Sequence, residues 1–138
     1  MEKKVVDLSA IDTVKGSNEG FEVRIYHPGT NEDLDICITV LGKDSDAFHR
    51  VSRAQNKKRM AKLQKGGFRG SASVPVEEIE QDNIDLLAAC TTGWSGVIID
   101  GKEIPFTVDN AAMVYGRFPW IKEQVDTAIG DRANFIKS

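Results

Sequence analysis

At 138 residues the chain has the length of one domain, and with 41% hydrophobic residues it can build a core without disulfides or a metal. Its apolar runs are only a few residues long, far short of a bilayer span, so no membrane association is expected. The net charge of −3 is unevenly placed: residues 1–76 carry 13 Lys/Arg against 10 Asp/Glu, and residues 77–138 carry 5 against 11. The positive half owes its sign to residues 50–69.

The charged start MEKKVVDLSAID lacks the apolar stretch of a secretory signal, which makes cytosol the expected compartment. These first dozen residues read as a loose arm or an added strand. Gly16, Ser17, Asn18, Glu19 and Gly20 then read as a turn. Phe21, Val23 and Ile25 alternate with polar neighbours, as do Leu34, Ile36, Ile38 and Val40. This predicts two strands with one buried face, joined around His27-Pro28-Gly29-Thr30-Asn31 into a hairpin. Asp44 or Ser45 is placed to cap a helix from Ala47 to about Lys65. Phe48, Val51 and Ala54 give that helix a short apolar stripe, which Lys58 interrupts. Its first half should pack, and its second half should project into solvent or a partner.

The glycine- and serine-rich residues 66–74 read as a hinge within a single domain spanning 1–138. It separates a hairpin-plus-basic-helix half (1–65) from a helical half (75–138). Pro75 with Glu77, Glu78 and Glu80 suits the first turn of a new helix, where negative charge meets the helix dipole. Ile79, Asn83, Leu86, Leu87 and Cys90 form its expected core stripe, and Thr91-Thr92-Gly93 its stop. Asp100-Gly101, between Val97-Ile98-Ile99 and Lys102-Glu103-Ile104, predicts a tight hairpin. Thr107 should cap a short helix over Val108–Tyr115, which Gly116 stops. Pro119 should open a last one, with Ile121, Val125, Ala128, Ile129 and Arg132 on one face. The expected fold is α+β: an N-terminal antiparallel hairpin and a second short hairpin, packed with four helices.

The sequence offers little chemistry. His27 and His49 have no second ligand at metal spacing, and neither CxxC nor HExxH occurs. Cys37 and Cys90 lie among apolar neighbours and read as small buried side chains in a reducing compartment, with a disulfide between them disfavoured. The acid pairs Asp82/Asp85 and Glu123/Asp126 share helix faces, as surface charges ordinarily do. No nucleophile sits in a recognisable elbow, and the glycine-rich run lacks the phosphate-loop pattern. We therefore expect no catalytic residue, no metal and no cofactor, and an activity based on binding.

Two groups of residues stand out as binding candidates. Arg50, Arg53, Lys57, Lys58, Arg59, Lys62, Lys65 and Arg69 place eight cations within twenty residues. A nucleic acid would reward such a face through counterion release. That partner is disfavoured because the chain as a whole is acidic, the stretch has few stacking aromatics, and its cations spread around the helix. Acidic protein surfaces, including a second copy's C-terminal half, suit it better. In the C-terminal half, Trp94, Phe106, Tyr115, Phe118, Trp120 and Phe135 gather the aromatics. Trp94 and Phe106 read as core, whereas Phe118-Pro119-Trp120 at a helix start could expose an interface anchor. The candidate partner-binding residues are thus Arg53, Lys57, Lys58, Lys62, Phe118 and Trp120.

Residues 91–138 carry a more specific pattern. It comprises Trp94, Asp100-Gly101, Pro105-Phe106-Thr107, Asp109-Asn110-Ala111, Tyr115, Pro119, Glu123-Gln124-Val125 and the run Asp131 to Phe135. It resembles the C-terminal half of tail assembly chaperones from long-tailed, lambda-like bacteriophages, with a weaker likeness through residues 41–48. The resemblance implies an assembly factor of the host cytoplasm that is absent from the mature virion and self-associates. Such a factor coats the long tape measure protein and, through a longer frameshifted product, recruits tail tube subunits. It also leaves open a structural tail component such as a tube, terminator or connector subunit.

Overall fold

A computed structural model of the chain describes residues 5–65 and 75–136. The hinge expected at 66–74 lies outside the described residues. A 3-10 turn over Leu8–Ile11 leads into α1, Thr13–Glu19. Asp7 and Asp12 open these segments, their carboxylates accepting the backbone N–H of Ser9 and Lys15. This helix corrects the expected turn at 16–20: residues 16–19 are helical, and only Gly20, at φ 95°, breaks the run. The reason is tertiary. A Cβ at Gly16 would lie 1.6 Å from the Phe135 carbonyl oxygen, so that glycine permits a close approach between two segments and does not mark a turn.

Strands β1 (Phe21–Tyr26) and β2 (Asp33–Val40) form the expected antiparallel hairpin, with Val23 opposite Ile38 and Ile25 opposite Ile36. His27 organises the connecting loop: its Nδ1 accepts the N–H groups of Gly29 and Thr30. Helix α2 follows over Asp46–Lys65. Ser45 Oγ accepts the Phe48 N–H, as capping predicts, and Asn18 Oδ1 from α1 accepts that of Asp46. Helix α3 (Val76–Ala89) begins behind Pro75.

Thr91-Thr92-Gly93 ends α3 as expected, but the chain continues directly as β3 (Thr91–Ser95). This strand pairs antiparallel with β2 and gives a sheet of order β1-β2-β3. The separate hairpin of β4 (Ile98–Ile99) and β5 (Lys102–Glu103) turns at Asp100-Gly101, with φ of 52° and 77°. Both values are the positive ones that a tight primed turn needs. Thr107 caps α4 (Val108–Arg117), which runs through Gly116 instead of stopping there. Pro119 starts α5 (Pro119–Gly130), and a second 3-10 turn covers Arg132–Phe135. The fold is α+β as expected, with five α-helices among the described residues where four were anticipated; α1 is the addition.

The core forms where the sheet's inner face meets α3, α4 and α5. Val23, Ile25, Ile38 and Val40 pack with Leu87, Val114, Tyr115, Val125 and Ile129, all buried. Each such side chain contributes roughly 1.5–3 kcal/mol on leaving water. Ile121, Val125, Ala128 and Ile129 give α5 its predicted core face, whereas Arg132 lies beyond the helix and pairs with Asp44. One polar pair sits inside: the Thr91 and Tyr115 hydroxyls are 2.7 Å apart, and Thr91 also donates to the Leu87 carbonyl. Burial pushes the Tyr115 phenol up to about 12, so it stays neutral. Both cysteines are free thiols, Cys90 fully buried and Cys37 half-buried.

Candidate binding surfaces

Helix α2 is mostly polar, yet it docks on α3. Gln55 donates to the Asp82 carbonyl at 2.7 Å, and Arg59 donates through Nε and Nη2 to the Asp82 carboxylate at 3.2 and 3.0 Å. One turn further on, Lys62 pairs with Glu78. These contacts correct two expectations. The second half of α2 does not project freely, and the core stripe of α3 is rotated. Asp82 is buried while Ile79 is 46% exposed, with Leu87 and Cys90 buried and Asn83 and Leu86 half-buried. A carboxylate can face inward here because a guanidinium from a neighbouring helix meets it.

The same docking sorts the cations. At about 100° per residue, Arg59 and Lys62 share the inner face of α2 with Gln55. Arg50, Arg53 and Lys57 fall within about 60° of one another on the opposite face, whereas Lys58 lies between the two faces, about 40° from Lys62. All four are exposed. Arg50, Arg53 and Lys57 form a short stripe, and with Lys58, Arg59 and Lys62 the described cations spread around the helix, as expected. Ala54, expected in the packing stripe, lies exposed on this basic face. The candidate residues therefore divide: Arg53, Lys57 and Lys58 face solvent, whereas Lys62 is engaged in holding α2 to α3. The Lys65 and Arg69 side chains lie outside the described residues.

Between α2 and α3 runs an open groove of about 310 Å³, lined by Ser52, Gln55, Asn56, Arg59, Ile79, Glu80, Asn83, Leu86 and, from α5, Lys122. Ile79 and Leu86 give its lining two apolar side chains, beside the charged Arg59, Glu80 and Lys122.

The aromatic candidates lie elsewhere. Trp94 and Phe106 stack edge-to-face at 5.3 Å, and the Trp94 indole donates to the Ile104 carbonyl, so both pack against the core as expected. Phe118 and Trp120 meet edge-to-face at 6.3 Å, with the Arg117 guanidinium 5.2 Å over the Phe118 ring. Together with Ile36, Val97, Ile98, Ile99, Val114 and Ile121 they line an apolar pocket of about 90 Å³. Ile98 at its edge is 64% exposed. Sequence reasoning found the two rings and missed this isoleucine, although a strand of two residues necessarily turns Ile98 and Ile99 to opposite sides. The cations and the rings line different surfaces.

The remaining candidates disperse. His27 supports its loop, and His49 stands exposed on α2 with its ring edge-to-face to Phe48. Asp82 is buried against Arg59, whereas Asp85 is exposed and accepts from Gln81. Glu123 and Asp126 are exposed. Among the described residues, no group of His, Cys, Asp and Glu side chains is placed to hold a metal ion, and no helix is long and apolar enough to cross a membrane. No family model, curated protein or solved structure matches the chain.

Proposed function

We propose that the protein is a phage tail assembly chaperone that acts without catalysis, binding the tape measure protein and keeping it soluble until the tail encloses it. The observation that carries this reading is the groove between α2 and α3, whose lining combines Ile79 and Leu86 with Arg59, Glu80 and Lys122. Such a groove suits the apolar stripe of a helix, with charged groups on either side to fix its direction. The motif-bearing residues 91–138 point to the same family. The exposed Arg50–Arg53–Lys57 stripe adds a surface for acidic segments of the client or of a neighbouring copy. Many weak contacts along one rod then sum through avidity. In this role the protein works in the host cytoplasm and is absent from the finished particle.

The test is co-expression with a helical tape measure fragment that is insoluble alone. The fragment should become soluble and co-purify, and Ile79→Asp, at a half-exposed position that tolerates charge, should reduce the co-purified amount about tenfold, equivalent to ~1.4 kcal/mol. A fragment that stays insoluble, or the protein's abundance in purified particles, would sink the reading. The second result would point to a structural tail subunit.

A further inference from the structure

The sheet is ordered β1-β2-β3, which puts β1 at an edge. Just beyond that strand, the His27 N–H donates to the Glu32 carbonyl across the hairpin. In an antiparallel pair the backbone alternates, so Phe21, Val23 and Ile25 likewise turn their N–H and C=O groups toward β2. Glu22, Arg24 and Tyr26 turn theirs away from it. At Tyr26 the Gln124 side chain of α5 takes both groups: its Oε1 accepts the N–H at 2.9 Å and its Nε2 donates to the carbonyl at 2.8 Å. An antiparallel strand would make the same two bonds there. Glu22 and Arg24 offer the same directed groups, and among the described residues no strand pairs with them. Such an edge is a template for pairing with another chain.

Helix α5 runs beside this edge in the opposite direction. Gln124 reaches Tyr26, and the Phe135 ring, past the helix end, meets the Phe21 ring edge-to-face at 6.0 Å. Between them lies an open groove of about 470 Å³, with Val23 and Arg24 on one side and Glu123, Thr127 and Asp131 on the other. From Glu123 to Asp131 is roughly 12 Å of helix. From Glu22 to Tyr26 is roughly 13 Å of strand, so the two walls match in length along one short added strand.

The charge here is one-sided. Glu22, Glu123 and Asp131 are exposed, and none of the ion pairs among the described residues uses them. Arg24, the cation of the groove, is already met by Asp33 at 2.8 Å and by Asp35 at 3.6 Å. An acidic segment would be repelled from this edge and a basic one attracted. We infer that the β1 edge is a second binding site, which takes an extended, lysine- or arginine-bearing segment of a partner protein as an added strand. The segment's backbone exchanges N–H···O=C bonds with Glu22 and Arg24, and its alternate side chains reach Glu123 and Asp131 across the groove. The groove between α2 and α3 takes no part, so this site stands or falls without the tape measure client.

The probe is an end-blocked eight-residue peptide of alternating lysine and valine, with a glutamate–valine peptide as its acidic counterpart. At low salt the lysine peptide should bind and slow hydrogen exchange at the Glu22 and Arg24 amides by about tenfold or more, leaving α2 and α3 unchanged. The acidic peptide should not bind. Glu22→Pro deletes an outward N–H that the β1–β2 ladder does not use, so it should fold and lose about tenfold in affinity. Glu22→Gln, which removes only charge, should lose about threefold. If Glu22→Pro melts well below the wild type, the exchange result on the wild type decides alone. Absence of binding, binding that leaves the Glu22 and Arg24 amides unprotected, equal binding of the acidic peptide, or a folded Glu22→Pro with wild-type affinity would overturn the site. Protection of those amides that rises with protein concentration and needs no peptide would overturn it too, and would assign the edge to a second copy.

Discussion

Where β1 and β2 meet α5, the contact is made by Val23, Ile25, Ile38, Val125 and Ile129, none more than 6% exposed. Where α2 meets α3, it is made by Gln55, Arg59 and Lys62 reaching Asp82 and Glu78. The first contact scales with the area removed from water and is indifferent to exact geometry. The second depends on a few directed bonds, each worth about 1 kcal/mol net, or about 1.5–3 where a charge is involved. A helix held in that way should open at a free energy below that of global unfolding. Fixed core and releasable helix thus sit side by side, and the proposed client groove lies along the releasable one.

The largest effect expected from this contrast is at Leu87, 1% exposed beneath the sheet. Leu87→Ala removes buried volume that a close-packed core refills only in part, at a cost of about 2–5 kcal/mol. Thermal unfolding should fall by about 10 °C as one cooperative transition. Faster local hydrogen exchange in α2 caused by the same substitution would mean that the core and the α2 contact are not independent.

Asp82→Asn should cost less and act elsewhere. It removes the charge that Arg59 meets through two donors and keeps the side-chain volume, a loss of about 1–3 kcal/mol. Hydrogen exchange should accelerate for α2 amides, while those of β1, β2 and α5 keep their protection. Equal acceleration throughout would show that α2 is part of the global unit, and the contrast would fail. The same variant releases Arg59, which lines the groove, so client binding should change without a matching fall in the core's melting temperature.

What could be read in advance follows the same division. The alternation of β1 and β2, the Asp100-Gly101 turn, and the caps at Ser45 and Thr107 are local matters, decided by residues within a few positions, and each was legible. The elements that were not legible depend on distant partners. Gly16 looks like a turn residue until Phe135 is placed against it. Asp82 looks like surface charge until Arg59, 23 residues away, turns it inward. β3 escapes notice because TTGWS has no alternation, and its identity comes from the free edge of β2. The candidate surfaces show the same pattern. The Phe118/Trp120 site was visible as two rings at a helix start, whereas only the position of α3 distinguishes Lys62, which is tied, from Arg53 and Lys57, which are free.

The smallest effect expected concerns the contact that fastens the entry to α2 onto the end of the fold. Arg132 donates through Nε and Nη2 to the two oxygens of Asp44 at 2.7 and 3.0 Å. The guanidinium holds this carboxyl at about 2, well below its ordinary 3.8. A depressed carboxylate contributes its stability fully above the unfolded-state value and loses it as pH falls through the folded one. The contribution should therefore be complete at pH 5 and fade between about pH 4 and pH 2. Because the Arg132 side chain is 56% exposed, water screens the pair and the gain is about 1 kcal/mol or less. Asp44→Asn should accordingly melt below the wild type at pH 5, and the gap should close toward pH 2. A gap that persists unchanged at pH 2 would assign the stability to hydrogen-bond geometry that asparagine cannot reproduce, with charge playing no part. Even this polar fastening would then differ in kind from the one that holds α2 to α3.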